Sequence, residues 1–525
     1  MKILVSDKMA EEGLDILRPH FEVVVKTGLS EAELVQEIPS YSALMVRSAT
    51  KVTAPVIEAG KNLKVIARAG VGVDNVDLEA ATHRGIVVVN SPGGNTIAAC
   101  EHTIAMMLAL ARRIAPANAS IREGKWDRGK FMGVEVYGKT LGIIGVGKIG
   151  AEVAKRAHAL GMDVLGHDPY LTEETAERGG VRLVPLEELL RCSDYVTLHC
   201  PHSPETHHLL DQARLHLMKK GVRVVNVARG GIVDEAALVK ALDEGHLAGA
   251  AIDVFAKEPP EDWALARHEK VLATPHLGAS TEEAQTNVAI DVAEQVVDIL
   301  QDRPARSAVN MPAIAAEVLE QFGPYLNLAI QVGLLLGQVV EGAPQSLHLE
   351  YSGEISGDVI REPISRSVLM GLLRPALGDS ANVVNAPVLA KARGLEVSET
   401  VHASARDYAS LLTATVGTAQ GSQTVSATVF ARNEPRIVQL EGYRIDMIPS
   451  GDFVLIYHRD RPGLIGQVGT ITGAHGINIA GMLVGREAAR GRALMVLQVD
   501  DKVPPDALRQ IEQVGDVYAT KVVRL

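Results

Sequence analysis

The nonapeptide "GIIGVGKIG" (142–150) restricts the possible folds more than any other segment. Gly145, Gly147 and Gly150 stand in G-x-G-x-x-G spacing, with the apolar "LGII" before them and the helix-forming "AEVAKRAHAL" after. A glycine turn between a strand and a helix predicts a dinucleotide site. Gly145 allows the tight turn, Gly147 the approach of a pyrophosphate, and Gly150 close packing of helix on strand. The helix N-terminus supplies free N–H groups and the favourable end of the dipole. In a chain with 48 glycines the spacing alone is a weak signal, and its flanks give it weight. Eighteen residues on, Asp168 in "LGHDP" ends the next apolar run. A carboxylate there accepts from a ribose diol and repels a 2′-phosphate, so NAD is the expected cofactor. As a mere turn residue before Pro169 it would need no glycine loop upstream.

The surroundings agree with a doubly wound sheet. From about 140 the runs "TLGIIGVG", "MDVLGHDP", "YVTLHCP", "VRVVNVA", "AGAAIDVF" and "VLATPH" alternate with helix-length segments, as in a complete Rossmann domain. An earlier series ("KILVS", "FEVVVK", "ALMVRS", "KVIARAG", "GIVVVN") predicts a second parallel sheet, a flavodoxin-like lobe, over the first 90 residues. The segment 95–114 reads as one long, mostly buried helix. The helical stretch 281–302 is expected to close back on the first lobe, which makes the second series an insertion. The expected units are 1–94 with 281–308, then 95–280, 313–445 and 452–525. A Pro-containing linker, "DRPARSAVNMP", follows the second unit. Residues 313–445 combine an apolar helix with scattered strands and carry no chemical motif. The last segment reads β-α-β-β-α-β, the ferredoxin-like order.

At 525 residues the chain needs more than one core. Its net charge of −12, with no basic cluster, argues against nucleic acid or an anionic membrane as the main partner. A small anion needs only a local basic pocket. Cys100, Cys192 and Cys200 show no CxxC spacing, so a reducing compartment is expected. "MKILVSDKMAEEG" reads as strand then helix rather than a signal peptide, and the longest apolar runs fall short of the roughly 18–20 residues of a membrane span. A cytoplasmic location is expected.

Three segments end later strands of the second series, the edge where ligands sit in such sheets. They place Arg229 in "VVNVARGGIVDE", Glu258 in "AIDVFAKEPP" and His276 in "VLATPHLGAST". Each alone has an ordinary structural explanation. Together they suit oxidation of a hydroxy acid: an imidazole takes the hydroxyl proton, a carboxylate stabilises its charged form, and an arginine holds the substrate carboxylate in a bidentate pair. The hydride belongs to the cofactor.

These motifs, "NVARGG", "DVFAKEPP" and "PHLGAST" with the glycine loop, resemble the D-2-hydroxyacid dehydrogenases. "VRSATKVTA", "ARAGVGVDNVD", "GKW" and "FMGVE" resemble the long-form members that oxidise 3-phospho-D-glycerate to 3-phosphohydroxypyruvate with NAD, the entry to L-serine synthesis. The likeness is strong over about 1–310. By position, 313–445 is similar to the intervening domain of that long form, and "DRPGLIGQVG" with "HGINI" resembles a regulatory ACT domain. The resemblance implies His276 as acid/base, Glu258 as its partner and Arg229 as substrate orienter. It implies cofactor contacts at Gly145, Gly147, Lys148, Ile149, Gly150, Asp168, Cys200, Pro201, Val227, Ala228, Asp253, Gly278 and Ala279, and no metal. Substrate contacts map to Arg47, Ser48, Arg68, Gly70 and Asn95, with Arg128 and Lys130 as further charge from a neighbouring subunit. Lys148 stands where relatives often carry Arg, and Val71 where some carry Thr. Serine as effector maps to His458, Asp460 and Asn478 at paired ACT domains of a homotetramer, His458 replacing a Tyr of some serine-inhibited relatives. Two alternatives stay open: a reductase of another 2-oxo acid such as glyoxylate, hydroxypyruvate or 2-oxoglutarate, and a non-enzymatic NAD-sensing protein.

Overall fold

The computed structural model describes residues 1–405, 407–431 and 433–525. Five parallel strands, β1 (Lys2–Val5), β2 (Glu22–Val25), β3 (Ala43–Val46), β4 (Val65–Arg68) and β5 (Val87–Asn90), lie in the order β2-β1-β3-β4-β5. The inner strands are almost wholly buried apolar runs, whereas edge strand β2 is half exposed. This is the flavodoxin-like order.

The second sheet contains β6 (Thr140–Ile144), β7 (Asp163–His167), β8 (Arg182–Leu183), β9 (Tyr195–Leu198), β10 (Val222–Asn226), β11 (Leu247–Ile252) and β12 (Val271–Ala273). Its order, β12-β11-β10-β9-β6-β7-β8, reverses between β6 and β9. The glycine loop leaves β6, at the topological switch point where a ligand crevice opens. Six strands are expected from sequence and seven are present: β8 is two residues long, too short for a hydrophobic period.

Two long helices tie the sheets together. The segment 95–114 is not one helix. It is helical over Thr96–Ala111, and Arg113 then turns left-handed (φ 52°) before a second helix, Ile114–Arg122. Its burial is also partial, with Ile97 47% exposed. The helix Glu282–Leu300 starts at Thr281, whose side chain accepts from Ala284 N. It does return to the first sheet, sharing a core with Ile3, Val5, Leu14 and Leu17 through Val288, Val292, Ala293 and Val296. The contact is backbone-close: a Cβ on Gly13 would lie 2.7 Å from Ala289 O.

The third sheet, β13 (Ser346–Gly353), β14 (Glu396–His402), β15 (Ser410–Thr418), β16 (Gly421–Phe430), β17 (Glu434–Leu440) and β18 (Tyr443–Met447), runs β14-β13-β15-β16-β17-β18. The helices Ala316–Val339 and Asp358–Leu377 pack against it. The apolar run read from sequence understates the first helix, since Glu317–Val339 is long and apolar enough to cross a membrane. In the fold Leu328, Ala329, Val332, Leu335 and Leu336 are buried in the core of this unit. Gly333 and Gly371 let the two helices cross closely, a Cβ on either falling 2.1 Å from a carbonyl oxygen of the other helix.

The last sheet, β19 (Asp452–Arg459), β20 (Ile479–Arg486), β21 (Arg492–Val499) and β22 (Val517–Arg524), is antiparallel in the order β20-β21-β19-β22. With the helices Leu464–Ala474 and Pro505–Glu512 it is the ferredoxin-like arrangement. One face packs on those helices. The other enters the core of the third unit through Phe453, Leu455, Leu494, Val496 and Val523.

Candidate active site

At the carboxyl ends of β10, β11 and β12, three turns bring Arg229, Glu258 and His276 to the cleft. His276 Nδ1 lies 2.7 Å from Glu258 Oε2. That bond fixes the ring and leaves Nε2 for a substrate. His276 is in the left-handed region (φ 55°), which a side chain-bearing residue rarely adopts. Its amide donates to Asp253 O at 2.8 Å, which holds it there. Burial alone would raise the Glu258 carboxyl; the hydrogen bond and charge of His276 and the Phe255 amide outweigh it, so Glu258 lies below its usual range. An apolar pocket of about 370 Å³, lined by Phe255, Pro259, Trp263 and Pro275, adjoins the pair.

Asp253 is the structural centre of this edge. It is fully buried. Its Oδ1 accepts from Thr274 Oγ1 (2.6 Å) and Leu277 N (2.8 Å) and contacts His102 Nε2 (3.2 Å), and Oδ2 accepts from Gly278 N (2.9 Å). Burial raises this carboxyl too, but these partners leave it below the usual range. Nothing in the sequence marks His102 or Thr274, because an "EHT" inside an apolar helix and a Thr before Pro275 carry no spacing signal.

The glycine loop has the geometry its spacing predicts. Gly145 takes φ 90°, Gly147 caps the helix Lys148–Ala159, and a Cβ on Gly150 would lie 2.2 Å from Gly145 O. Around Gly147 there is open space, as an approaching phosphate needs. Lys148 begins that helix, with Nζ reaching towards Gly93 of the other lobe, and Ile149 packs into the core. Asp168 Oδ2 accepts from Val146 N and Oδ1 from Tyr170 N, both at 2.9 Å, which anchors the carboxylate at the loop. Cys200 and Pro201 follow β9; burial pushes the Cys200 thiol up to about 11, so it offers shape rather than nucleophilicity. Beside it, burial lowers His199 to about 4. Val227 and Ala228 are buried after β10, in a turn clamped by Asn226, which accepts from Ala228 N and donates to Arg229 O. Gly278 and Ala279 follow His276. Open space at a capped helix N-terminus, beside an anchored carboxylate, fits a dinucleotide.

Across the cleft, the end of β4 and the loops after β3 and β4 present Arg47, Ser48, Arg68 and Gly70. Asp7 accepts from Arg47 N (2.6 Å) and Asn75 Nδ2 donates to Arg47 O (2.7 Å), two supports that the sequence motif did not reveal. Gly70 (φ 146°) leaves the space that Arg68 fills: a Cβ there would meet Arg68 Nη1 at 1.6 Å. Burial, then the charge of Arg229, lowers the Arg68 guanidinium to about 10. Arg68 Nε and Asn95 Oδ1 are buried without a hydrogen-bond partner among the described residues. Arg229 Nε donates to Asp74 Oδ2 at 3.2 Å, across the two lobes. Arg128 and Lys130 lie on an exposed 3₁₀ turn of the same chain.

At the far end, the sequence-predicted effector residues sit on the last sheet. His458 is 2% exposed, with Nε2 lacking a partner among the described residues. Asp460 Oδ2 accepts from Arg490 N and Arg486 Nη1, the first of which chiefly draws its carboxyl below the usual range. Asn478 Nδ2 donates to Asp500.

A Rossmann crevice facing a cationic lobe, with an oriented imidazole between them, defines an NAD-dependent oxidoreductase of hydroxy acids. The comparisons agree. Residues 104–278 match the family described as D-isomer specific 2-hydroxyacid dehydrogenase, NAD binding domain; 321–441 match the D-3-phosphoglycerate dehydrogenase intervening domain, and 453–516 the ACT domain. The chain is 47% identical to the D-3-phosphoglycerate dehydrogenase of Synechocystis, over 100% of this chain and 95% of the relative. The enzyme of that name from Archaeoglobus fulgidus is 46% identical over 100% of both chains, and that of Bacillus subtilis 43% over 100% and 99%. Among solved structures, the TT0316 protein of Thermus thermophilus is 39% identical with a TM-score of 0.55, covering 59% of this chain and all of its own. A D-lactate dehydrogenase of Aquifex aeolicus, complexed with NAD and lactic acid, is 27% identical with a TM-score of 0.53, over 57% of this chain and 96% of its own. The chain belongs to the D-3-phosphoglycerate dehydrogenases, within the D-2-hydroxyacid dehydrogenase family, and NAD is its cofactor.

Proposed function

We propose that this chain oxidises 3-phospho-D-glycerate to 3-phosphohydroxypyruvate, the first step of L-serine biosynthesis, under feedback through its ACT domain. The observation that carries the reading is the cluster of Arg47, Arg68 and Arg229 around the cleft that holds the His276–Glu258 pair. A chain of net charge −12 gathers three guanidiniums at one place, which suits a substrate with both a carboxylate and a phosphate.

The roles follow from the chemistry of each group. His276 takes the hydroxyl proton at Nε2, and Glu258, ionised and bonded to Nδ1, stabilises the imidazolium that forms. Arg229 holds the substrate carboxylate. Arg47, Ser48, Arg68, Gly70 and Asn95 receive the remaining polar groups; the unpartnered Arg68 Nε and Asn95 Oδ1 are supplied with partners there. Gly145, Gly147, Lys148 and Gly150 receive the pyrophosphate; Asp168 receives the ribose. Ile149, Cys200, Pro201, Val227, Ala228, Asp253, Gly278 and Ala279 line the rest of the cofactor crevice. NAD, when bound, supplies the hydride acceptor.

The same reading assigns 1–94 with 281–308 to substrate, 95–280 to cofactor, 313–445 to the intervening unit and 452–525 to regulation, in a cytoplasmic homotetramer. Serine is the effector, held at His458, Asp460 and Asn478 between paired copies. NADH formation from 3-phosphoglycerate and NAD, with product trapped and with or without millimolar-range serine, tests both halves. Activity that falls with serine supports both. Activity indifferent to serine removes the effector assignment, and NADH-driven reduction of another 2-oxo acid with no turnover of 3-phosphoglycerate removes the substrate.

A further inference from the structure

The cationic cleft carries its own counter-charge. Two carboxylates, Asp7 and Asp74, act on the Arg68 guanidinium against the repulsion of Arg229 and Arg47. Asp7 is committed to the fold: its Oδ2 accepts from Arg47 N and Thr50 N, and its Oδ1 from Thr50 Oγ1. Asp74 has no such duty. Its side chain is 70% exposed, and its one hydrogen bond among the described residues comes from Arg229 Nε at 3.2 Å.

That pair is built into the loop. Asp74 follows β4 in one lobe and Arg229 follows β10 in the other, so the contact bridges the cleft. It crosses directly over Gly72. A Cβ at that position would lie 2.0 Å from Arg229 Nη2 and 2.7 Å from Asp74 Oδ2, so the pair occupies the space of a missing side chain. Arg229 spends a further donor on its own turn, Nη1 to Ala228 O at 2.7 Å. With Asp74 in place, Nε on the guanidinium edge that would grip a substrate carboxylate is already taken.

We infer that Asp74 is an internal counter-ion that occupies Arg229 between turnovers, so that an anion entering the cleft must displace it. A lone inorganic dianion gains little beyond what it displaces. A substrate with a carboxylate and a phosphate replaces the pair with one group and binds Arg47 and Arg68 with the other. The inference rests on Arg229 as the carboxylate anchor. An exposed ion pair is worth a modest amount, and its loss shifts an equilibrium by about two- to fivefold.

The test is inhibition of 3-phosphoglycerate oxidation by inorganic phosphate and by sulfate, at constant ionic strength, in the wild type, Asp74→Asn, Asp74→Glu and Arg47→Ala. In D74N both inhibition constants are expected to fall about two- to fivefold, returning towards wild type in D74E. A merely structural Asp74 would leave them in place, and constants that are unchanged or higher in D74N overturn the counter-ion. The arginine cluster is checked separately: inhibition that is not competitive with 3-phosphoglycerate, or that is indifferent to R47A, removes the cluster reading and the counter-ion with it.

Discussion

His276 is positioned by two different kinds of bond, one to its backbone and one to its ring. Its left-handed φ of 55° is held by the hydrogen bond from its backbone N–H to Asp253 O, and its imidazole by Glu258 Oε2. Removing the ring in His276→Ala is expected to lower kcat about 10²–10⁴-fold while NAD still binds, as titration calorimetry would register. Glu258→Gln keeps the shape but loses the charge, and its loss of kcat is expected to be smaller than that of H276A. His199 tests a neighbouring residue without touching the proton path. Its folded pKa of about 4 lies below its ordinary 6.5. The unfolded chain therefore takes up a proton first as pH falls, so the contribution of His199 is complete above pH 6.5 and disappears on the way to about 4. Unfolding free energies from urea titrations over that window should fall, as pH is lowered, by up to about 1.4 kcal/mol per pH unit. His199→Gln should remove that part of the slope. At this scale the sequence shows groups with chemistry of their own, such as Arg229, Glu258 and His276. It does not show Asp7, Asn75, Asn226, His102 or Thr274. Those residues act by holding a loop in one place, a property of three-dimensional contact rather than of spacing.

Elements follow the same division. The glycine loop can be read because each glycine answers a separate steric demand at a fixed offset, and Gly150 states that demand most clearly. Its absent Cβ would meet a backbone oxygen at 2.2 Å, an atom that cannot rotate aside. Gly150→Ala is therefore expected to destabilise the fold by about 1–3 kcal/mol, seen as a lower thermal midpoint, and to weaken NAD binding as the helix moves off β6. An unchanged midpoint would mean that the helix shifts freely, contrary to its packing through Val153, Ala154 and Ala157. Parallel strands β1 and β3 to β6 are equally readable, since burial on both faces leaves continuous apolar runs. β8 is not, because two residues cannot display a period. Nor is the break at Arg113, where an unbroken helical composition gives no hint that the chain turns left-handed.

Over the whole molecule, the third and fourth units are joined by a shared core. The β19–β22 sheet has two apolar faces: one lies under its own helices, the other is buried with Leu347, Leu349 and Leu412 of the third sheet. Polar bonds seal the joint. Lys521 pairs with Glu341, Gln338 Nε2 donates to Arg524 O, and Tyr457 Oη donates to Glu441 at 2.7 Å. A further bond, from Asn382 Nδ2 to Gly85 O at 2.8 Å, ties the third unit to the loop before β5. Alternating strands in the sequence announce these units, but not which face of one sheet meets another, because both faces are apolar in β19 and β21. The contacts make a prediction about independence. A fragment of residues 313–525 should unfold in one cooperative transition, since its two sheets share a core. A fragment of 448–525 should expose Phe453, Leu455, Leu494, Val496 and Val523 together, and so bind a hydrophobic dye or associate. Calorimetry and dye binding on the two fragments check this, and two separate transitions in the longer one would show that the units only touch. If the single transition is found, any ligand that shifts the last sheet must also strain the third, which bonds directly to the loop before β5 of the first sheet.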